Sequence, residues 1–356
     1  MKTNRARLRV KLHSFNIAKN RANAGAMSLL HGMSNMKSSP TRSFVHLLNG
    51  ARKSRITVGL ASITLGLVRF AEAATDFCQK TAQDALQGCQ DSAQSAQSVA
   101  LGKCENISDP AARADCRKQA TADFQDARQT CQDGYASRQA ACQKFGPARY
   151  DPVIDPANFV RHVTNPFFPL PPGQTFVYEG RTKDGFLHND FIVTHMTKVI
   201  LGVTCTQVHD VVYLDGVLAE DTLDWYAQDN QGNVWYFGES TAEFENGRPV
   251  TVEGSFTAGV NGDKPGIIME GHSVPGDFYR QEFALATAED NALVLSLDAT
   301  VNVPAGLFHH CLKTQETTPL EPDALENKFY ASGLGNVLTV DLRTGDRIKL
   351  VKIHPN

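Results

Sequence analysis

The sequence predicts an α+β protein: an N-terminal antiparallel helical hairpin stapled by disulfides, followed by a mainly antiparallel β domain that forms a curved sheet, a half-barrel or a barrel. Six cysteines with palindromic spacing predict the hairpin, and period-two alternation of apolar and polar residues predicts the strands. Frequent Gly/Asn/Asp turn sequences favour antiparallel connections. We expect a leader over 1–73, the hairpin over 74–145, a proline-rich connector over 146–174 and the β domain over 175–356.

The first 73 residues have the features of a secretory leader. They contain 13 Lys and Arg residues and a single acid, and a basic stretch precedes an apolar run of 13 residues, 56–68. A small-residue site, Ala71-x-Ala73, follows, which completes the pattern of a signal peptide. We expect cleavage after Ala73 and export to the periplasm or beyond the cell. A start at one of the internal methionines would shorten the leader, and a buried or amphipathic helix is the alternative interpretation.

The apolar run is shorter than the ~20 residues that a membrane-spanning helix needs, so the mature chain is expected to have no transmembrane segment. Without the leader, 22 basic and 37 acidic residues remain, and the net charge changes from −3 to −15. An acidic chain is unsuited to nucleic acid or to anionic membranes, so no nucleic-acid partner is predicted. In an exported protein, eight cysteines indicate disulfides rather than metal ligands.

The six cysteines between residues 74 and 145 are separated by 11, 15, 12, 15 and 11 residues. This palindrome is centred on Pro110, within the turn-like sequence "ENISDP". Pairing outward from the centre gives residue numbers that always sum to 220, as facing residues of an antiparallel helix pair require. The predicted bonds are Cys104–Cys116, Cys89–Cys131 and Cys78–Cys142. Because disulfides hold Cα atoms ~5.5–6 Å apart, small residues are expected along the helix contact.

A cysteine-rich metal or redox module is the alternative for this segment, but the sequence contains no Cys-x-x-Cys. After the hairpin, the connector is expected to lie along a surface with Phe159, Phe167 and Phe168 as anchors. The strands are predicted at 175–181, 187–199, 203–213, 217–228, 233–243, 248–257, 277–287, 291–300, 307–317, 327–331, 335–341 and 346–353. The two remaining cysteines, Cys205 and Cys311, are expected to form a fourth disulfide, with a free reactive pair as the alternative.

The densest group of chemically interesting residues lies in 219–239, which resembles a hairpin turning at 229–232. In a strand, Glu220, Asp224 and Tyr226 share one face. If that face lines a cavity, Glu220, Asp224 and Glu239, together with His209, are candidate general acid/base groups or cation ligands. The alternative is aromatic cross-strand packing with a solvated acidic face.

The same segment supplies the candidates for a ligand cavity, which are the aromatic residues Trp225, Tyr226, Trp235 and Phe237. A zinc site would need His188 or His195 to meet His209 or His309, and the sequence does not place them together. We therefore predict no metal and no cofactor. Arg280 and Glu282, two residues apart, suggest an ion pair or a polar cavity wall.

Four stretches resemble signatures of an uncharacterised family of exported bacterial proteins: "YDPVIDPANFV", "DWYAQDNQGNVWYFGE", "VPAGLFHHCLKT" and "KFYASGLGNV". The last two are also loosely similar to periplasmic β domains of the lipoprotein-carrier type, in which a curved sheet wraps around apolar ligands. The resemblance covers residues 150–340. It implies a binding function by fold analogy alone and assigns no catalytic residue.

Three functional hypotheses follow. The first is a non-catalytic exported protein that binds a hydrophobic or amphipathic ligand, with the hairpin as a spacer or docking arm. The second is a hydrolase or isomerase that uses the carboxylates and histidine named above in a β-cavity. The third is a structural or adhesive component of the cell envelope.

Overall fold

A computed structural model describes residues 75–355 of the chain. The predicted leader and its cleavage site after Ala73 lie outside these residues. The described part consists of two helices followed by a large antiparallel sheet that is nearly closed and barrel-like, as the sequence predicts. Within residues 75–355, no helix combines the length and the apolar character needed to cross a membrane.

The hairpin contains helix α1 (Phe77–Glu105) and helix α2 (Pro110–Phe145). Both begin at an aspartate whose side chain accepts a hydrogen bond from a backbone N–H in the first turn. Asp76 caps α1 through Gln79 N at 2.9 Å, and Asp109 caps α2 at 2.7 Å. Pro110 occupies the first position of α2, where a missing N–H costs nothing. The chain therefore reverses over residues 106–109, at the centre of the cysteine palindrome.

Three disulfides join the helices, with Cα–Cα distances of 5.6 to 5.7 Å. The pairs are those of the constant sum: Cys78–Cys142, Cys89–Cys131 and Cys104–Cys116. The other buried residues of the two helices are small, namely Ala82, Ala85, Ala93, Ala120 and Gly134. The hairpin thus buries almost no large apolar side chain, and covalent bonds replace a hydrophobic core.

The last part of α2 packs against the β domain. Gly134 lies so close to it that an added Cβ would be 2.9 Å from the carbonyl oxygen of Pro319. This approach explains a glycine in mid-helix, where it costs about 1 kcal/mol relative to alanine. At the end of α2, the rings of Phe145 and Phe278 are 4.6 Å apart. The hairpin is therefore attached to the β domain through one end.

The β domain contains sixteen strands. They are β1 (Phe159–Val160), β2 (Thr175–Thr182), β3 (Gly185–Ile200), β4 (Val203–Leu214), β5 (Val217–Asp229), β6 (Val234–Glu245), β7 (Arg248–Thr251), β8 (Phe256–Thr257), β9 (Lys264–Met269), β10 (Phe278–Arg280), β11 (Glu282–Phe283), β12 (Asn291–Val303), β13 (Gly306–Thr318), β14 (Glu321–Ala331), β15 (Gly335–Asp341) and β16 (Arg347–His354). Most are consecutive meander strands joined by tight turns with a residue at positive φ, such as Asp215-Gly216 between β4 and β5.

The strand order is β10-β12-β13-β14-β15-β16-β2-β3-β4-β5-β6-β9-β11. The first and last long strands of the domain are neighbours in the sheet, since Thr175 of β2 pairs with His354 of β16. The two ends of the order, β10 and β11, belong to one short segment, 278–283. Its first half pairs with β12 and its second half with β9. This segment therefore brings the two ends of the sheet together.

Several strand boundaries differ from the sequence prediction. β9 was not predicted, because "KPGIIM" contains a proline and a glycine near its start. Gly266 is needed there, since an added Cβ would lie 2.3 Å from the backbone of Gln281. The predicted strand 277–287 is split at that same residue, and β14 begins six residues earlier than its apolar part indicates.

The predicted fourth disulfide is wrong: Cys205 and Cys311 are free and buried. They lie in different hydrophobic clusters on opposite faces of the sheet. Cys311 packs inside the barrel, in the interior cluster that contains Tyr226, Leu312 and Leu350. Cys205 packs outside it, in a smaller outer cluster. Desolvation raises the pKa of the Cys205 thiol to about 12, so it is not poised for thiolate chemistry.

The connector crosses from the outside of the barrel to its mouth. Phe159 packs on the outer cluster, with ring centroids 5.6 Å from Phe237. Phe167 and Phe168 pack instead against the interior cluster, to which Leu170 also belongs. The three predicted anchors therefore hold the connector on two faces of the sheet, and residues 163–170 cover one end of the interior.

Candidate functional site

The predicted aromatic cavity residues are divided between the two faces of the sheet. Tyr226 points into the barrel, where its ring stacks on Tyr236 with centroids 4.8 Å apart. Trp225, Trp235 and Phe237 belong to the outer cluster beneath the connector. Alternation along a strand places neighbours on opposite faces, so Trp225 and Tyr226 cannot line the same cavity.

The predicted carboxylates share the inner face of strands β5 and β6. Glu220, Asp224 and Glu239 are buried, and Asp224 lies directly opposite Glu239 in the strand register. Glu220 likewise lies opposite Glu243. We call these four residues the acidic row. It is not the solvated face that the sequence left open as an alternative.

Tyr236 connects two members of the acidic row. Its hydroxyl is 2.6 Å from Asp224 Oδ1 and 3.3 Å from Glu239 Oε2. Burial, and then the charges of Asp224 and Glu239, raise the pKa of this phenol far above its ordinary value. The hydroxyl therefore stays protonated and can donate its hydrogen to a carboxylate. Chemically, Tyr236 acts as a hydrogen-bond donor between two facing carboxyl groups.

The candidate histidine does not join this group. His209 lies on the outer face of β4, where its Nε2 is 2.9 Å from Asp221 Oδ1 at a largely accessible site. His188 pairs with Glu179 and Asp190 in a similar way. Among residues 75–355, no three His, Cys, Asp or Glu side chains form a group that could hold a metal ion.

A second polar group inside the barrel lies on β13 and β14. Lys328 Nζ is 2.7 Å from Glu316 Oε2, and both side chains are almost fully buried. The other carboxylate oxygen of Glu316 accepts hydrogen bonds from the hydroxyls of Thr314 and Tyr330, each at 3.0 Å. Burial raises the pKa of the neighbouring Glu326 well above its ordinary value, an effect that the Lys328 charge opposes.

A small cavity of about 60 Å³ lies within the barrel. Its wall combines aromatic rings, including Tyr178, Tyr226 and Tyr330, with the polar side chains of Asp210 and Lys328. A liquid water molecule takes up about 30 Å³, so this space holds one or two waters. This cavity is much smaller than the ~300–1,000 Å³ of typical ligand pockets.

A larger cleft of about 350 Å³ lies between the hairpin and the β domain. We call it the cleft. The hairpin supplies one wall from the start of α1 and the end of α2, including the Cys78–Cys142 disulfide. The opposite wall comes from the start of the connector, which includes Tyr150, and from β9 to β11, with Arg280 and Phe283.

The sequence did not predict the cleft, although it drew attention to Arg280. The expected Arg280–Glu282 pair does not form, because the strand breaks between them. Glu282 is buried and acts electrostatically on Tyr226 and Tyr236, whereas Arg280 faces the cleft. Arg138 and the other hairpin residues reach the cleft because the hairpin docks on the β domain, and no local sequence pattern predicts this docking.

The loop between β9 and β10 contains a carboxyl group that should make stability depend on pH. Partial burial, together with the adjacent Asp277, raises the pKa of Glu270 to about 7. The folded chain then holds this proton more tightly than the unfolded chain, where the glutamate pKa is about 4.3. Stability from this group is complete below about pH 4 and is lost as the pH rises through 7, by roughly 1–2 kcal/mol after discounting for exposure.

Denaturant titrations between pH 4 and pH 8 would measure this loss. The variant Glu270→Gln should have a flatter stability profile across that range. The exposed Asp323→Asn serves as the control and should keep the slope of the parent chain. Equal slopes for the parent chain and Glu270→Gln would contradict the assignment.

No family model and no curated protein matches the sequence. Among solved structures, the chain is similar to a candidate lipoprotein from Parabacteroides distasonis, at 12% sequence identity and a TM-score of 0.31. The match covers 53% of this chain and 98% of the other. A likeness of this size supports no conclusion about fold or function, and the family resemblance of the motifs stays a prediction.

Proposed function

We propose that this is an exported, non-catalytic binding protein that takes a small hydrophobic or amphipathic ligand in the cleft between the hairpin and the β domain. The volume of the cleft, about 350 Å³, is the observation that carries the proposal. Ligand pockets in proteins usually have volumes of ~300–1,000 Å³ and mix apolar walls with a few polar groups. The cleft fits both criteria.

The lining supports an amphipathic ligand. Phe77, Tyr150 and Phe283 present aromatic surface, and the Tyr150 and Phe283 rings are 5.4 Å apart in an edge-to-face arrangement. The Tyr150 hydroxyl is held by a 2.8 Å hydrogen bond to the carbonyl of Pro265, so this wall is fixed in place. Preorganised walls reduce the entropy that a ligand loses on binding.

In this proposal the hairpin is part of the site. Two of its cysteines line the cleft, and their disulfide fixes the ends of α1 and α2 next to the β domain. If the hairpin were only a spacer, a disulfide would not be needed at the end that contacts the β domain. The stapled end of the hairpin therefore supports binding, whereas the opposite end, with Cys104 and Cys116, lies at the far end of the helices.

The enzyme hypothesis depends on the acidic row. Asp224, Tyr236 and Glu239 do converge, which a hydrolase or isomerase would require. The neighbouring cavity of about 60 Å³ has room for only about two waters, and His209 points away on the other face. A buried hydrogen-bonded network of this kind also stabilises a barrel interior without doing chemistry. The catalytic roles of these residues, and the structural or adhesive role, stay predictions.

Filling the cleft tests the proposal. Leu285 lines it and is 38% exposed, so Leu285→Trp should place an indole in the binding space without disturbing a core. Calorimetric titration with the neutral fluorophore N-phenyl-1-naphthylamine is expected to give one site in the parent chain and at least tenfold weaker binding in this variant. Native mass spectrometry of the exported protein would show a retained ligand that the variant lacks.

The matched control is Leu297→Trp, since Leu297 is also 38% exposed but lies on β12 outside the cleft. It should bind the fluorophore as the parent chain does. No binding to the parent chain and no retained ligand would refute the proposed function. Equal weakening in both variants would place the site elsewhere.

A further inference from the structure

The cleft carries a positive charge in an otherwise acidic mature chain. Four cations line it, namely Arg138, Arg149, Lys264 and Arg280, against two carboxylates, Asp151 and Glu289. Each carboxylate is engaged by one cation. Lys264 Nζ is 2.6 Å from Asp151 Oδ1, at the exposed rim. The remaining two cations, both arginines, leave the cleft with a net charge of +2.

Glu289 is held by Arg138 rather than by Arg280. Arg138 binds it in a bidentate manner, with Nε 2.9 Å from Oε2 and Nη2 2.5 Å from Oε1. The Oε1 atom also accepts a hydrogen bond from the backbone N–H of Ala286 at 2.7 Å. This ion pair joins the hairpin to the β domain, so Glu289 acts as a structural group.

Arg280 is the more buried of the two arginines that this arrangement leaves without a carboxylate ion pair. Within residues 75–355, no carboxylate oxygen lies within 4 Å of its guanidinium. Three rings surround it instead, with centroids 4.0 Å (Phe145), 4.7 Å (Phe283) and 5.2 Å (Tyr150) from Cζ. Its Nη2 is 3.6 Å from Cys78 Sγ, a weak acceptor. Burial lowers the pKa of Arg280, an effect that Tyr150 and Glu289 oppose.

Aromatic rings orient a guanidinium but provide few hydrogen-bond acceptors. A planar guanidinium has five N–H donors at its edge. A cation–π contact uses the face of the group, so these donors stay available for hydrogen bonds. Arg149 is held similarly, with its Cζ 3.5 Å above the ring of Phe77 at the rim of the cleft. Both arginines are thus oriented with donors available, in the manner typical of carboxylate and phosphate recognition.

We infer that the ligand of the cleft is an amphipathic anion, whose carboxylate, sulfonate or phosphate group pairs with Arg280 and whose apolar body lies against the aromatic wall. This inference rests on the proposed binding function and names its ligand class. Arg149 attracts the anionic group from the rim, and Arg280 fixes it by charge-assisted hydrogen bonds inside. The negative charge of the rest of the chain disfavours the same ligand elsewhere on the surface.

Two matched fluorophores separate the charge from the apolar body. 1-Anilinonaphthalene-8-sulfonate and N-phenyl-1-naphthylamine share the same rings, and only the first carries a sulfonate. Calorimetric titrations of the mature chain with each, and with inorganic phosphate alone, would be compared with those of Arg280→Met. Methionine keeps much of the apolar contact to the rings and removes the charge and the donors.

The sulfonate is expected to bind the parent chain at one site, and the ratio of sulfonate affinity to neutral-fluorophore affinity should fall at least tenfold in Arg280→Met. Arg149→Gln, at an exposed position, should weaken the sulfonate about two- to threefold and reduce its salt dependence. Arg181→Met is the control, because Arg181 also stacks on a ring, that of Phe186, but lies on β2 outside the cleft. It should change nothing.

The outcomes distinguish the two proposals. If the neutral fluorophore binds and Arg280→Met leaves sulfonate affinity unchanged, the anion assignment is wrong and the binding function stands. If neither fluorophore binds, the binding function itself fails. Binding of inorganic phosphate as tight as that of the sulfonate would identify a free-anion site and overturn the amphipathic ligand. Should Arg280→Met unfold, the Arg149→Gln result decides the question.

Discussion

The variant Lys328→Met is expected to lose about 3–5 kcal/mol of unfolding free energy, because it leaves buried carboxylates without their cation. The Nζ atom of Lys328 is 2.7 Å from Glu316 in the barrel interior, and both side chains are almost completely buried. The nearby Glu326 also depends on this charge. Methionine has nearly the same volume as lysine, so the loss would come from electrostatics rather than from a cavity. Urea denaturation at pH 7 measures the change.

Two further measurements identify the cause of this loss. The double variant Lys328→Met/Glu316→Gln should recover part of the stability, because it removes one of the stranded charges. The penalty of the single variant should also shrink as the pH falls from 7 to 5, since the carboxyl groups can then bind protons. Lys352→Met, at an exposed position of β16, is the control and should stay within ~0.5 kcal/mol of the parent chain. A loss below 1 kcal/mol for Lys328→Met would contradict the assignment.

Removing the disulfide at the base of the hairpin should have the second large effect. Cys78 and Cys142 are 64 residues apart, but the intact Cys89–Cys131 bond shortens the loop that they close to about 24 residues, which corresponds to about 3 kcal/mol. The double variant Cys78→Ala/Cys142→Ala is expected to fray the ends of both helices and to lose binding of the neutral fluorophore, since these helix ends form one wall of the cleft. Helical circular dichroism and calorimetry would record the two losses together.

The bond at the far end of the hairpin provides the comparison. Cys104 and Cys116 are only 12 residues apart and do not line the cleft. Their double alanine variant should lose about 3 kcal/mol of helix stability and keep the affinity for the fluorophore. If both double variants keep binding, the hairpin does not form a wall of the site, and the cleft is not where the ligand binds.

The hairpin could be predicted in detail because the spacing of residues along the sequence is enough to identify its contacts. Antiparallel partners have a constant sum of residue numbers, so the spacing of the cysteines specified the pairing before any contact was known. The strands were predictable from alternation and turns wherever both were regular. They were missed in β9, where Pro265 and Gly266 interrupt the pattern because the backbone of Gln281 approaches too closely for a side chain.

The sequence could not show which face of a strand is the inside. It correctly placed Glu220, Asp224 and Tyr226 on one face, but the acidic face is interior and the tryptophans are exterior. Aromatic residues are usually expected inside a barrel and acidic residues outside. Here the tryptophans can lie outside because the connector covers Trp225 and Trp235 with Phe159 and its neighbours. The same ambiguity produced the wrong Cys205–Cys311 bond, since a face assignment was needed to separate the two residues.

The cleft could not be predicted because its two walls are far apart in the sequence. Arg138 meets Glu289 across 151 residues, and Arg280 meets Cys78 across 202. No periodicity connects such positions. The composition did contain one indirect signal, since residues 74–356 are strongly acidic and a local group of arginines is unusual in them.

The pairing of β2 with β16 has a consequence for how the chain matures. These are the first and the last long strands of the β domain to be synthesised. The strand pairing of Thr175 can form only after His354, 179 residues later, has been synthesised. Contacts between such distant positions slow folding, and an unpaired strand edge invites association with other chains in the meantime. The stapled hairpin, by contrast, has only local pairings and can form as soon as its own cysteines are oxidised. We therefore expect the hairpin to be complete before the barrel closes, so that the last strand joins a sheet whose neighbouring helices are already rigid.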